Sequence, residues 1–282
     1  MTAEALSIRP AGTAPAQLEA YSRLLNAAFA TESFSPAALA WRYRDNPAGA
    51  VVGADAWDGE RLAAHYVTCP LEARIDGQAV RGLLSLNTAT HPDYQGRGLF
   101  TKLAEAAYAR GAESGYGFVI GVANANSTPG FLRRLAFQHV GALHAGIMAR
   151  LPRRFSDATP QYAGAWRDET LAWRLANPGG RYVAARRGEL TAVWAKTHLP
   201  FVRCAALLPG HPATGVAGAP PCASLFLGLE PRMSLGRQGF LAIPDRLRPS
   251  PLNLIWRALG ETAPAALRAD AVALNFLDFD PY

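Results

Sequence analysis

The sequence contains little cysteine. Its three cysteines, Cys69, Cys204 and Cys222, are spread over 282 residues. Their separations match no metal-binding spacing and three thiols cannot all pair, so we expect neither a metal site nor a disulfide framework. This sparse use of cysteine is typical of a reducing compartment and predicts a cytoplasmic protein.

Targeting and membrane-spanning signals are also lacking. The first ten residues, MTAEALSIRP, have neither the charged nor the apolar region of a signal peptide. Residues 205–229 contain no Asp, Glu, Lys or Arg, but the segment PGHPATGVAGAPP within them would break a membrane helix. We therefore expect a long loop there and no contact with a membrane.

The charge balance is basic but unclustered. Lys and Arg number 28 against 22 Asp and Glu, which gives a net charge of +6. This excess suits an anionic ligand. Arginines occur together only as pairs, with no run of basic residues and interleaved aromatics, so a nucleic-acid partner is not expected.

Neither of the two standard phosphate-binding motifs, GxxxxGK[ST] and GxGxxG, occurs in the glycine-containing segment at residues 91–103. Residues 91–103, HPDYQGRGLFTKL, instead separate the apolar run 81–90 from a segment with helical periodicity, 99–107. The order is strand, glycine loop, helix. Gly96 and Gly98 would let the backbone approach a ligand closely, and the helix N-terminus would favour a phosphate. An ordinary surface turn is the alternative.

The loop resembles the signature of the GNAT superfamily of acyl-CoA-dependent N-acyltransferases, which is Gln or Arg, two residues, Gly, one residue, then Gly or Ala. Residues 95–100, QGRGLF, follow this pattern after His91-Pro92, and Phe100 departs from it. A second block, residues 116–143, resembles the family's next strand, Asn-containing turn, short helix and closing strand. The resemblance covers most of residues 5–150.

The resemblance implies where acetyl-CoA, or another acyl-CoA, would bind. The end of the strand at 81–90 would hydrogen-bond the thioester and pantetheine arm, the loop would hold the pyrophosphate, and the Asn-containing turn would reach CoA or the second substrate. Turn capping is an equal alternative for that last pair of residues. The implied cofactor-binding residues are Asn87, Ala89, Thr90, Gln95, Gly96, Arg97, Gly98, Leu99, Phe100, Asn126 and Ser127.

The catalytic acid and base are not given by the resemblance. Many family members carry a tyrosine on the helix after the Asn turn, where this chain has Leu132 or, with a shift of one residue, Phe131. The motif strand also lacks the glutamate that often acts as base. Direct transfer needs no covalent intermediate, so Cys69 is expected to be a buried strand residue.

Five other residues are candidates for proton transfer. They are His65 and Tyr66 on the strand before the hairpin, His91 beside the loop, and Asp278 and Asp280 near the C-terminus. The alternative for the first three is a satisfied structural side chain. The alternative for the aspartates is a pair of solvated charges that close a surface strand.

An internal repeat predicts two halves. LAWR, Asn-Pro, a strand, Gly-Glu and a second strand occur from Leu39 and again from Leu171. Trp41 and Trp173 are 132 positions apart, so the repeat has the length of a domain. These two tryptophans are expected to be core anchors rather than substrate platforms.

We therefore predict an α/β fold with two GNAT-like halves, 1–150 and 151–282, each a twisted mixed sheet flanked by helices. The second half has no matching glycine loop. SLGRQGF, residues 234–240, is the nearest fragment, so this half is expected to be a degenerate copy that walls the acceptor cleft. A monomer or a homodimer is expected.

Periodicity and turn residues give a coarse set of elements. Helices are expected at 15–30, 36–44, 99–114, 129–135, 169–175 and 251–259. Strands are expected at 6–9, 50–56, 61–69, 81–90, 118–123, 139–150, near 182 and 190, and at 223–229, 239–244 and 271–279.

Three functions fit these features. The first is an N-acyltransferase that moves an acetyl group from acetyl-CoA to the amine of a small soluble acceptor. The second is a non-catalytic CoA-binding or regulatory module that keeps the fold. The third is a tRNA-dependent aminoacyl ligase built from paired GNAT-like halves, against which the intact glycine loop argues.

Overall fold

A computed structural model describes residues 6–180, 182–197, 199, 201–211, 221, 223–248 and 250–280. The helices in these ranges are α1 Pro15–Phe29, α2 Pro36–Tyr43, α3 Leu99–Glu113, α4 Thr128–Arg134, α5 Asp168–Leu175 and α6 Phe276–Phe279. The strands are β1 Ser7–Pro10, β2 Val52–Asp58, β3 Arg61–Ile75, β4 Gln78–Thr90, β5 Phe118–Ala123, β6 Gln138–Ala142, β7 His144–Met148, β8 Tyr162–Gly164, β9 Tyr182–Arg187, β10 Leu190–Lys196, β11 Val202–Pro209, β12 Ala223–Leu229, β13 Phe240–Ala242, β14 Asn253–Ala258 and β15 Val272–Asn275. Helices flank a large mixed sheet, which confirms the predicted fold class.

Local sequence explains where the helices beside the site begin. Pro36 stands in the first turn of α2, and the Ser35 hydroxyl accepts a hydrogen bond from the Ala38 N–H at 3.2 Å. Gly98 adopts the left-handed conformation directly before α3, which glycine takes without a Cβ clash. The loop predicted to bind phosphate therefore ends at a helix N-terminus.

One group of strands has the order β1-β2-β3-β4-β5-β14-β6. In it β4 and β5 are parallel, and β14 runs antiparallel to both β5 and β6. A second group has the order β9-β10-β11-β12-β7-β13, in which β11 and β12 are parallel and β7 runs antiparallel to both β12 and β13. The first group thus includes β14, which comes from late in the chain. The second group includes β7, which comes before its other strands in the chain.

The two groups are joined by β8 and β15. β8 pairs with β3 and with β15, and β15 pairs with β12. The fifteen strands of the described residues thus form one continuous sheet.

Residues 251–259 were predicted as a helix, and this prediction is wrong. Residues 253–258 form β14, which lies between β5 and β6 and has Leu254, Ile255 and Trp256 fully buried. The Trp256 ring stacks on Phe118 with centroids 4.6 Å apart. Leu254 and Trp256 pack into one apolar cluster and Ile255 packs into another. Both faces of the strand are therefore buried, so its apolar residues run continuously instead of alternating.

Other boundaries differ as well. Residues 139–150 were predicted as one strand but form β6 and β7, which enter different groups of strands. Residues 271–279 were predicted as a strand, but the strand ends at Asn275, whose side chain accepts a hydrogen bond from the Leu277 N–H and starts α6. The predicted long loop overlaps β11 and β12, and its centre, 212–220, lies outside the described residues.

Two pairs of parallel strands diverge. β4 and β5 pair only over residues 82–85 and 118–121, and beyond Ser85 their facing edges separate. β11 and β12 pair only over 202–205 and 223–226. In that second case β15 pairs with the freed part of β12, through Gly228 and Leu229. A Cβ at Gly228 would collide with the Leu274 carbonyl oxygen, so glycine is needed for β15 to lie so close.

Candidate active site

Two clefts meet where β4 leaves β5. The α3/α4 cleft, of about 470 Å³, lies beside the starts of those two helices. The α1/α2 cleft, of about 680 Å³, lies beside α1 and α2 and also reaches α6. The residues that line both clefts are Phe29, Ser85, Leu86, Asn87, Val122 and Leu252.

The glycine loop lies just beyond the α3/α4 cleft, which Thr90 and Phe100 line. Gly96 and Gly98 have φ values of 75° and 71°, and a Cβ at either position would have no atom within 4 Å. An L side chain would therefore be strained there although space is open. The first N–H groups of α3, which directly follows Gly98, have no acceptor within their own helix and can bind an anion.

Tyr94 anchors the glycine loop through its ring and its hydroxyl. Its ring is buried, and its hydroxyl donates to the Asp58 carboxylate at 2.6 Å. The guanidinium of Arg97 lies 5.0 Å from the centre of the same ring, and the Gln95 amide donates to the Thr90 carbonyl at 3.4 Å. Residues 95–98 themselves remain exposed, so the loop is anchored while its outer surface is accessible.

Phe100, the departure from the family pattern, packs against the start of α4. Its ring meets that of Phe131 edge-on, with centroids 5.2 Å apart. A Cβ at Gly130 would lie 3.2 Å from the Phe100 ring. The large side chain is therefore accommodated by a glycine opposite it.

Asn126 and Ser127 line the α3/α4 cleft at the other side. Both of their backbone N–H groups donate to the Asn124 side-chain oxygen, each at 3.0 Å. Asn124 thus shapes the turn, and the sequence pattern gave no separate role to it. Phe131 is buried, and neither it nor Leu132 has a proton to donate.

Ser85 is backed by two buried tyrosines. Its hydroxyl lies 2.7 Å from the Tyr66 hydroxyl, which lies 2.5 Å from the Tyr108 hydroxyl. Burial raises the pKa of Tyr66 to about 12, so this phenol keeps its proton at neutral pH. Tyr66 itself does not line a cleft, and Ser85 connects it to both.

Asn87 occupies a bulge in β4. The register between β3 and β4 shifts so that Tyr66 faces both Asn87 and Thr88. Asn87 has a φ of 48°, a left-handed conformation that asparagine tolerates better than most residues. Its side-chain N–H donates to the Tyr43 hydroxyl at 2.9 Å.

Behind Asn87 lies a buried polar network. The Tyr43 hydroxyl lies 3.1 Å from His65 Nε2, and His65 Nδ1 lies 2.6 Å from Asp55 Oδ1. The Tyr21 hydroxyl donates to Asp55 Oδ2 at 2.5 Å, and its ring stacks on His65. All four side chains are fully buried, so His65 reaches the clefts only through Tyr43 and Asn87. Two features of the sequence point to this network: the predicted candidate His65 and the carboxylate of Asp55 within the apolar strand β2.

His91 and Ala89 lie away from the reacting region. His91 Nε2 lies 3.0 Å from an Arg61 guanidinium nitrogen, and its Nδ1 accepts from the Asp93 N–H at 3.2 Å. His91 therefore shapes the turn before the loop. Ala89 is buried against the cluster beneath α1 and α2.

The two C-terminal aspartates point into different cavities. Asp280 lines the α1/α2 cleft and is buried. It accepts from Arg42 at 3.0 Å, Arg174 at 3.2 Å and Asn177 at 2.9 Å, and also from the Tyr182 hydroxyl. Four donors thus occupy its two oxygens.

Asp278 lines a separate cavity that includes Glu72, Trp166 and Glu230. It accepts from the Asn275 N–H at 2.7 Å, and burial raises its pKa to about 6. Neither aspartate is a solvated charge at the end of a surface strand, which corrects that alternative. The reason is that α6 turns the chain inward after Asn275.

Cys69 is buried, and burial raises the pKa of its thiol to about 11. A thiol that stays protonated is a poor nucleophile. This geometry agrees with its predicted place as a small strand residue. Cys222 lies outside the described residues.

The two LAWR motifs meet. The indole rings of Trp41 and Trp173 stack with centroids 4.6 Å apart. Each indole N–H donates to the other tryptophan's carbonyl, at 3.2 and 3.1 Å. Arg42 and Arg174, the residues that follow them, both bind Asp280.

Residues 8–140 match the family model described as an acetyltransferase (GNAT) domain. No curated protein matches the sequence significantly. Similar solved structures include a GCN5-related N-acetyltransferase from Kribbella flavida, with a TM-score of 0.61 and 14% identity over 90% of this chain and 72% of that one. Eis1 from Mycobacterium abscessus gives a TM-score of 0.59 and 11% identity over 90% and 74%.

A probable N-acyltransferase from Enterococcus faecalis gives a TM-score of 0.60 and 10% identity over 91% and 73%. At such identities the likeness concerns the fold. None of the helices in the described ranges has the length and apolarity to cross a membrane. Residues 8–140 thus match an acetyltransferase (GNAT) domain, and the chain shares its fold with these solved N-acetyltransferase structures.

Proposed function

We propose that this protein transfers an acetyl group from acetyl-CoA directly to the amine of a small soluble acceptor. The observation that carries the proposal is the meeting of the α3/α4 and α1/α2 clefts at residues 85–87 of β4. A thioester in one cleft and an amine in the other would be held side by side. Such proximity can supply roughly 7–11 kcal/mol of the barrier reduction in favourable cases.

The α3/α4 cleft suits the acyl donor. Beyond Ser85 one edge of β4 no longer pairs with β5, so its backbone groups are free to bind an extended pantetheine arm as a neighbouring strand would. Gln95 to Phe100 lie at the outer end, where the glycine backbone and the start of α3 would hold the pyrophosphate.

The α1/α2 cleft suits a small amine with an apolar body. Phe29, Phe34 and Trp41 contribute aromatic surface to it. Its ionisable side chains among the described residues are Arg42 and Asp280, which bind each other. An unpaired carboxylate that would hold a charged ammonium is thus lacking among them, so the acceptor would react after it has lost its proton to water.

Ser85 is placed to serve the leaving group. The amine nitrogen forms a bond to the carbonyl carbon, the C–S bond breaks, and its electron pair passes to sulfur. The sulfur then needs a proton and the new amide nitrogen has one to lose. The Ser85 hydroxyl, held by Tyr66 and Tyr108, can donate its proton to the sulfur and recover one from the nitrogen. Asp280, whose oxygens are occupied, would hold the cleft wall rather than take the amine's proton.

The chain would consist of two related halves that exchange one strand each, β7 for β14. The reciprocal Trp41–Trp173 contact and the repeated order of antiparallel and parallel pairs support this organisation. β15 occupies the place in the second half where an acyl chain would enter. One acetyl-CoA site per chain follows, in a cytoplasmic monomer or homodimer.

The experiment is a thiol-release assay of the purified protein with acetyl-CoA and a panel of amines, combined with thermal unfolding. Gly98→Asp would place a carboxylate against the pyrophosphate, so we expect it to abolish both turnover and the rise in Tm that acetyl-CoA causes. Gly77→Asp is the matched control, because Gly77 also has a positive φ and open space but lies in the β3–β4 turn.

An acetyl-CoA-dependent rise in Tm that survives in the folded Gly98→Asp protein would move the binding site elsewhere. A normal rise in Tm with no turnover of any amine would favour the non-catalytic module instead.

A further inference from the structure

We propose that Asn87 orients the acceptor amine through its side-chain oxygen, and that the buried chain Tyr43–His65–Asp55 fixes this orientation. The inference rests on the proposed function and names a substrate-positioning group within that site. Asn87 is suited to this part because it lines both clefts at their junction.

The order of donors and acceptors follows from the Asp55 end. An ionised carboxylate only accepts, so the proton between Asp55 Oδ1 and His65 Nδ1 lies on the imidazole. His65 Nε2 then accepts from the Tyr43 hydroxyl, whose pKa burial raises well above its usual range. Because that hydroxyl donates its one proton to His65, its oxygen accepts a hydrogen bond from the side-chain N–H of Asn87.

The reverse order is disfavoured by the contacts of Tyr43. A doubly protonated His65 would donate to the Tyr43 oxygen, as the Asn87 amide also does, and the phenol proton would then lack either of these partners. A buried hydroxyl without an acceptor destabilises the folded state. The structure places the Asn87 amide nitrogen inward, 2.9 Å from the Tyr43 hydroxyl, and this leaves the side-chain oxygen for the cleft.

The backbone holds the same side chain in place. Asn87 is the bulged residue of β4 and adopts a φ of 48°. Its amide is tied at 2.9 Å to a fully buried tyrosine. A fixed acceptor at the junction would take an N–H of the neutral amine and aim the nitrogen lone pair at the thioester carbonyl. Tyr43, His65 and Asp55 act through Asn87 and are positioning residues.

The test compares Michaelis constants in four variants. Tyr43→Phe frees the Asn87 amide, so we expect KM for the amine to rise about tenfold while KM for acetyl-CoA stays unchanged. Asn87→Gly keeps the left-handed backbone and removes the oxygen, and it should give a similar or larger rise. The double variant should be no worse than Asn87→Gly, because Tyr43 acts through Asn87.

Tyr21→Phe is the matched control. It removes a phenol hydroxyl that is equally buried and binds the other oxygen of Asp55, so we expect it to lower Tm without changing KM for the amine. Equal changes of KM in Tyr21→Phe and Tyr43→Phe, or additive effects in the double variant, would overturn the inference.

The Asn87→Gly measurement decides the inference if Tyr43→Phe does not fold, since an unchanged KM for the amine in that variant would also overturn it. Wild-type turnover with unchanged constants in the variants would defeat this inference alone. Absence of turnover with every amine would defeat the proposed function and this inference with it.

Discussion

Ser85 is the hydroxyl at which the two clefts and the tyrosine pair meet. Its contact with Tyr66 at 2.7 Å connects the reacting region to a phenol that burial keeps protonated. The predicted catalytic residue Tyr66 would thus act from behind Ser85, and His65 lies in the same way behind Asn87. At the scale of single residues, the groups proposed to touch substrate are small and polar, and the titratable groups are buried behind them.

Replacement of Ser85 by alanine should lower kcat. Because the hydroxyl would protonate the leaving thiolate, we expect a loss of about tenfold to hundredfold in Ser85→Ala, with little change in the affinity for acetyl-CoA. Steady-state rates and the acetyl-CoA-induced rise in Tm measure the two quantities. Ser114→Ala, at the C-terminal end of α3, is the control. An unchanged kcat in the Ser85 variant would exclude this proton route.

The contact between α3 and α4 sets the width of the α3/α4 cleft. Phe100 and Phe131 pack edge-on across it, and a Cβ at position 130 would lie only 3.2 Å from the Phe100 ring. The departure from the GNAT pattern at Phe100 is thereby compensated on the opposite helix, which single-residue pattern matching could not show. The width of the cleft therefore depends on both helices together.

Gly130→Ala should weaken the binding of acetyl-CoA. The added Cβ would lie 3.2 Å from the Phe100 ring, so we expect the ring to shift toward the cleft and Kd to rise about threefold to tenfold, which is roughly 0.7–1.4 kcal/mol. Titration calorimetry with CoA measures this change. Gly236→Ala is the control, because a Cβ there meets nothing within 4 Å. An unchanged Kd would mean that α4 yields instead of Phe100.

At the scale of the whole molecule, strand exchange makes the two parts of the chain interdependent. β14 lies between β5 and β6, and β7 lies between β12 and β13. The α1/α2 cleft likewise combines Trp41 and Arg42 with Asn177 and Asp280. Neither part completes its strand order or the α1/α2 cleft from its own sequence.

Residues 1–150 expressed alone should therefore give neither a cooperatively folded protein nor an active one. Without β14, the facing edges of β5 and β6 are unpaired and the core loses Trp256 and its stack on Phe118. Circular dichroism melts and the thiol-release assay test this expectation, with the full chain as the reference. A soluble and fully active fragment would contradict it.

The sequence by itself determined the elements whose signals are local. The glycine loop, the start of α3, the hairpin at Asp76-Gly77 and the Asn-containing turn are set by residues within a few positions of one another. For the same reason the loop that ends in Gly98 could be predicted as the place for acetyl-CoA, a prediction that the geometry supports and experiment has to test.

The tertiary structure decided what depends on distant partners. Residues 253–258 form a strand because β5 and β6 leave a gap between them, and no local pattern records that gap. Asp280 points inward because it forms ion pairs with Arg42 and Arg174. His65 can be buried because Asp55 and Tyr43 satisfy both of its ring nitrogens. Pairing energies of this kind arise only once the chain has folded, so they lie beyond the reach of spacing and composition.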